Sequence, residues 1–167
     1  MSMYQSEREV AVKRLQKGIL EKKTELDKLL WDALLAGQGE FFNTSSGLPF
    51  SYVVKRKRNG EYSGELLVSR KESSKTLTRS SVLLAFHKVI DATQICDIDG
   101  KAELILPEYK GPKAIGQIFG ISYIYSILWK FELIRVPAKV QEKLMDIKYM
   151  PAGLFSLSDK RPDNGSR

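Results

Sequence analysis

Residues 51–70 read SYVVKRKRNGEYSGELLVSR, and the fold turns on them. Two strand-like runs, 51–58 and 61–70, flank Asn59-Gly60. Asn-Gly between such runs favours a two-residue type I′ hairpin turn, because both central positions need a positive φ. That turn sets Arg58 opposite Glu61, Val54 opposite Glu65 and Val53 opposite Leu66. One face then carries Val53, Lys55, Lys57, Tyr62, Leu66 and Val68. The other carries Tyr52, Val54, Arg56, Arg58, Ser63, Glu65 and Leu67. The base is apolar on both faces and can be packed. The tip is cationic on both faces, and burying it would leave charges without water or partners. The expectation is a basic finger projecting into solvent.

Working outward toward the N-terminus, residues 41–49 read as a connection rich in turn formers, Asn43 to Gly47. Residues 6–36 read as one long helix. Ser6 and Glu9 have capping-box spacing. Val12, Leu15, Ile19, Leu26, Leu29 and Ala33 form an apolar stripe at near-heptad spacing, with Lys22 in the slot between Ile19 and Leu26. Gly18 weakens this helix, and Gly37 and Gly39 stop it. The stripe suits either a dimerising or docking helix, and hence a homodimer, or an amphipathic helix folded onto its own core.

Toward the C-terminus, residues 76–92 read as a helix with Thr78 as N-cap and Val82, Phe86 and Val89, with Leu83 and Ile90, on its apolar face. Residues 95–106 suit a second small hairpin turning at Asp99-Gly100 and ended by Pro107. The two hairpins could join in one antiparallel sheet covered by the helices. Pro112 suits the first position of a short helix, 113–119, ended by Gly120. Ser122 is placed to cap a helix over 123–135, and Pro137 to open one over 138–147. Residues 158–167, SDKRPDNGSR, read as a frayed tail. The expected fold is α+β: a single domain over 1–157 with a long N-terminal helix, a small antiparallel hairpin sheet with a basic tip, and a C-terminal helical group.

With 167 residues, 43% of them apolar and 28% charged, the chain is long enough to bury a core. Its one cysteine, Cys96, excludes an intrachain disulfide, so a reducing compartment is the simplest reading. One cysteine and one histidine, His87, cannot assemble a Cys/His zinc site within the chain. His87 reads as structural or exposed, and Cys96 as a small core residue. Residues 1–20 contain no apolar run of signal-peptide length, and no stretch approaches the ~20 apolar residues of a membrane span. The expected location is cytoplasmic. No cofactor is expected, since no glycine-rich phosphate loop follows a strand.

The net charge is +7, and residues 51–80 alone carry +5. Lys55, Arg56, Lys57, Arg58, Arg70, Lys71, Lys75 and Arg79 are the carriers, with Ser73, Ser74, Thr76, Thr78, Ser80 and Ser81 among the later ones. Hydroxyls, backbone N–H groups and a helix N-terminus beside cations are suited to phosphate contacts. Basic tips also serve as solubility devices.

Residues 113–131, KAIGQIFGISYIYSILWKF, invite comparison with a helix-turn-helix, in which Tyr123, Tyr125 and Lys130 could face a groove. Against this, Ser126 holds the slot that needs a branched apolar residue, and an αα-hairpin in the core is the alternative. Asp97 and Asp99 upstream of Glu108 and Lys110 have the composition of a Mg²⁺-dependent nuclease site, but three-residue patterns arise by chance and Pro107 breaks the strand. The expected function is non-enzymatic nucleic-acid binding, DNA over RNA, by the eight cations named above, with Tyr123 and Tyr125 as further contacts. The alternative is a protein-interaction module that docks on an acidic partner.

Overall fold

The computed structural model describes residues 6–145. The expected tail, 158–167, and the end of the last expected helix at Ile147 lie outside the described residues. The chain is α+β, and its described residues form five α-helices, a four-stranded antiparallel sheet and a separate two-stranded one.

The N-terminal segment is two helices: α1, Glu7–Leu20, and α2, Leu26–Ala36. The Ser6 hydroxyl accepts from the Glu9 N–H and the Glu9 carboxylate accepts from the Ser6 N–H, so the capping box forms as read. The single long helix does not form. Residues 21–25 are polar throughout, so nothing in them holds the apolar stripe on one face. Lys22 takes a positive φ of 56° and turns the chain back. Gly18 then lets α1 approach α2 closely, since a Cβ there would lie 2.6 Å from Leu29 Cδ1. Val12, Leu15, Ile19, Leu29 and Ala33 are buried in the chain's own core. The stripe is therefore spent internally and is no surface for a second copy.

After α2, β1 (Phe42–Asn43), β2 (Pro49–Arg56), β3 (Tyr62–Ser69) and β4 (Ser74–Leu77) form the larger sheet as a simple meander in the order β1-β2-β3-β4. The hairpin at Asn59-Gly60 forms, but in a different register: Val54 lies opposite Leu66, Val53 opposite Leu67 and Arg56 opposite Tyr62. The turn accounts for this. Gly60 N–H donates to Lys57 O and Lys57 N–H to Glu61 O, and Gly60 has positive φ whereas Asn59 does not. That is a three-residue loop with glycine in the left-handed position, not a type I′ turn. The Asn59 side chain instead accepts from the Glu61 N–H. Farther down, Gly64 takes φ 86° at a bulge where β3 runs two residues longer than β2. A one-residue change of register moves one strand's side chains to the other face. Tyr52 and Val54 thus share the inner face with Leu66 and Val68 and are buried, while Val53 is 44% exposed.

That inner face packs on the helices. The Tyr52 hydroxyl donates to Leu34 O of α2 at 2.6 Å. Phe50 meets the Tyr123 ring edge-on at 5.0 Å. Helix α3, Arg79–Ala92, starts at the Thr78 cap, whose hydroxyl accepts from the Ser81 N–H, and buries Val82, Ala85, Phe86 and Val89 as its spacing predicts. Its first turn is shorter than the sequence suggests, because Thr76 and Leu77 belong to β4.

The second hairpin, β5 (Gln94–Ile98) and β6 (Lys101–Ile105), turns at Asp99-Gly100, both with positive φ, as read. It does not join the larger sheet. Cys96 on it is only half-buried, not a core residue. Beyond it, residues 112–114 are a single 3₁₀ turn. Helix α4, Ile121–Lys130, is capped by Gly120 in place of Ser122, and α5 spans Ala138–Leu144. No helix-turn-helix is built, because the segment before Gly120 sends Ile115 and Ile118 into the core instead of completing a helix.

Two buried phenols predict a fold that loses stability in alkali. Burial pushes the Tyr52 hydroxyl far above its ordinary value, and burial followed by the Glu108 charge pushes Tyr125 up to about 12. A raised acid pKa leaves stability intact below the unfolded value near 10 and removes it as the pH climbs through the folded value. Thermal melts between pH 8 and 12 should therefore hold steady to about pH 10 and then fall. Tyr125→Phe should flatten part of that decline, and a wild-type protein indifferent to pH 10–12 would contradict the burial of these phenols.

Candidate nucleic-acid interface

The eight cations are not one patch. Lys55 and Arg56 are held by the hairpin itself. Lys55 pairs with Glu65 at 3.7 Å. Arg56 lies 4.2 Å from the Tyr62 ring centroid and donates to the Tyr62 hydroxyl and to Gly60 O. Lys57 and Arg58 remain exposed at the turn. Arg70 and Lys71 sit at the other end of β3, in the β3–β4 turn, where Arg70 donates to Ser73 Oγ at 3.4 Å. Eight residues of strand separate the two ends by about 25 Å.

The edge strand β4 links them. Lys75 lies opposite Val68, near the Arg70 end. Arg79, just past β4, covers Gly64 and lies 5.2 Å from the Trp31 ring centroid. The order along this edge is thus Arg70 and Lys71, then Lys75, then Arg79, then the hairpin turn. Among the described residues, Lys57, Arg58, Arg70, Lys71, Lys75 and Arg79 have no carboxylate partner. Arrangement in a row, with none of the six neutralised, is the electrostatic form of a backbone-tracking surface.

Two contacts expected from sequence are not at the surface. Tyr123 is 5% exposed and Tyr125 fully buried, with the Tyr125 hydroxyl donating to Tyr109 O at 2.6 Å. Both lie within the buried run of α4, so neither ring is available to stack on a base. Two residues were missed. Phe119 is 57% exposed, and the Lys75 ammonium lies 5.1 Å from its ring centroid. Lys113 joins Lys75 at a cleft of about 500 Å³ between β4 and the start of α4. Apolar periodicity assigned Phe119 to a helix, and only the 3₁₀ turn leaves it outside.

Gly120 is what brings α4 against β4. It takes φ 77°, and a Cβ on it would overlap Leu77 Cδ2. Gly120→Ala should cost about 2–4 kcal/mol, from left-handed strain plus overpacking, measurable as a lower denaturant midpoint at unchanged slope.

The nuclease constellation is not assembled. Glu108 pairs with Arg135 at 3.1 Å, within a short parallel bridge between those two residues. Asp97 and Asp99 are on the exposed second hairpin, and Lys110 is exposed elsewhere. Among the described residues no three His, Cys, Asp or Glu side chains converge as metal ligands. His87 bridges α3 to α2 through Asp27 at 2.7 Å, a surface contact. Among the described residues no helix is long and apolar enough to cross a membrane. Comparison with protein-family models, curated proteins and solved structures gives no match.

Proposed function

We propose that this chain is a non-enzymatic nucleic-acid-binding protein that tracks a phosphodiester backbone along the β4 edge. DNA is the first ligand to test. One observation carries the reading: a row of cations without carboxylate partners runs about 25 Å along one sheet edge, from the β3–β4 turn to the β2–β3 turn. Among the described residues no further strand pairs with the outer side of β4, and Lys75 and Arg79 are exposed there. The exposed Phe119 ring beside Lys75 adds a surface on which a base can stack. The test is fluorescence anisotropy with labelled random-sequence single-stranded and duplex DNA at two salt concentrations. Binding that weakens as salt rises supports the reading. No binding by the folded protein at low salt removes it.

The protein-docking alternative also has an observation in its favour, at a different surface. β5 and β6 pair only with each other, and Ile95, Ile98 and Ile105 on them are 37%, 48% and 42% exposed. Exposed apolar side chains on a hairpin with unpaired edges suit a protein partner. Such a complex would saturate at fixed stoichiometry and keep its affinity in salt. It would be lost on Ile98→Lys and kept when the β4-edge cations are removed.

A further inference from the structure

We infer that residues 147–157 of this chain fold back over β1 and seat their apolar side chains in a groove at one end of the larger sheet, between the start of β2 and the β3–β4 turn. The groove is lined by Phe41, Leu48, Pro49 and Ser51, and by Ser69 and Arg70 from the end of β3. Its volume, about 1030 Å³, stands at the top of the ~300–1,000 Å³ of small-molecule sites, which suits a run of side chains better than an ion. Phe41 is 56% and Leu48 49% exposed, and neighbouring exposed apolar side chains gain from a cover. The strand register puts this surface on the outer side of the sheet. Asn43 lies opposite Pro49 and Ser51 opposite Ser69, while the alternate residues Phe42, Phe50 and Val68 are buried in the core.

The place where the described chain stops selects the occupant. Asn43 Nδ2 donates to the Met145 carbonyl at 3.3 Å, so the chain continues past Met145 from a point beside β1. Helix α5 leads it there. Leu144 is buried, and the Lys143 stem lies 3.8 Å from where a Cβ on Gly47 would stand. Pro49, in the wall of the groove, is one strand spacing from Asn43, about 5 Å. A second observation points the same way. Asn43 is 4% exposed, and its Oδ1 has no hydrogen-bond partner among the described residues. Buried polar groups are almost always satisfied, and the residues after Met145 bring backbone N–H groups past this one. The segment also has the right chemistry, since Ile147, Tyr149, Met150, Leu154, Phe155 and Leu157 fall within it. Twelve residues reach at most about 40 Å when extended, and the groove crosses two strand spacings, ~10 Å. A tether this short holds the segment at an effective concentration of about millimolar, so it fills the groove ahead of a second copy at micromolar concentration.

The experiment is NMR on the full 167-residue chain, comparing the wild type with Leu48→Asp in the groove and Phe155→Asp in the segment. The expected result in the wild type is nuclear Overhauser contacts from the Met150, Leu154 or Leu157 methyl groups to the Phe41 ring and the Leu48 methyl groups, unchanged on dilution. The amides of 147–157 should exchange at least about tenfold more slowly than in a free peptide of the same sequence. Each substitution should abolish the contacts and return those amides to peptide-like exchange. Leu48 is exposed, and retained protection of the α3 amides in either variant reports that the fold stands. A wild type with no such contacts and with free-peptide exchange over 147–157 would overturn the proposal. Contacts that fade on dilution, or that join differently labelled copies, would overturn it by placing a second copy in the groove. Slow exchange over 147–157 that survives both substitutions would overturn it by placing the segment on another surface.

Discussion

Phe50→Ala is expected to destabilise the protein by about 3–5 kcal/mol, a large share of the ~5–15 kcal/mol that holds a domain of this size. Phe50 is 1% exposed and joins three elements. Its ring stacks on Phe42 of β1 at 5.5 Å and meets Tyr123 of α4 edge-on at 5.0 Å. Truncation removes both aromatic pairs and leaves a cavity that the rigid sheet cannot close. Because α4 carries Ser122 and Tyr123, the same variant should also loosen the cleft between β4 and α4. The check is chemical denaturation with the Ser122 amide followed in parallel. A loss below about 1 kcal/mol would mean that α4 does not pack on this face.

Removing four cations at the two ends of the row should have the largest effect on binding. Lys57, Arg58, Arg70 and Lys71 have no carboxylate partner among the described residues and lie outside the cleft between β4 and α4. Each phosphate contact on a single strand contributes about 0.7 to the slope of log affinity against log salt. Four contacts contribute about 2.8, which makes binding fall about 50-fold between 50 and 200 mM salt. The quadruple alanine variant should lose that part of the slope and bind more weakly at low salt. Its melting temperature should stay near wild type, since exposed cations of this kind contribute little to stability. An unchanged slope would place the strand elsewhere. Comparison with Phe119→Ala separates the two ends of the row from its centre.

Much of the local structure was legible because it depends on neighbours in sequence. The Ser6–Glu9 capping box, the Thr78 cap and the Asp99-Gly100 turn each need residues within four positions. The four-residue β4 was not legible. Ser74-Lys75-Thr76-Leu77 buries only Leu77 and shows no alternation, so it is a strand only because β3 offers it an edge. The first hairpin was legible as a hairpin but not in register, because Asn-Gly serves two loop types and only the strands' burial chooses between them. The candidate site followed the same division. The cations could be named, but their division into two ends and a middle follows from β4 and the direction of β3. Phe119 and Lys113 became candidates only once the expected helix proved to be a single 3₁₀ turn. Tyr123 and Tyr125 failed as surface contacts because α4 is apolar on nearly every side and is buried accordingly.

By itself, then, the sequence determined the α+β class, the positions of most turns and caps, and a charge excess concentrated in residues 51–80. Each is a short-range property, set by backbone preference, side-chain period or composition. The tertiary structure alone decided that residues 6–36 fold back on themselves, since Gly18 matters only once Leu29 lies across from it. It also decided that the two hairpins stay apart, and that Lys75, Lys113, Ser122 and Tyr123 share one cleft. Those are contacts between residues far apart in the chain, and no local preference encodes the closure that brings them together.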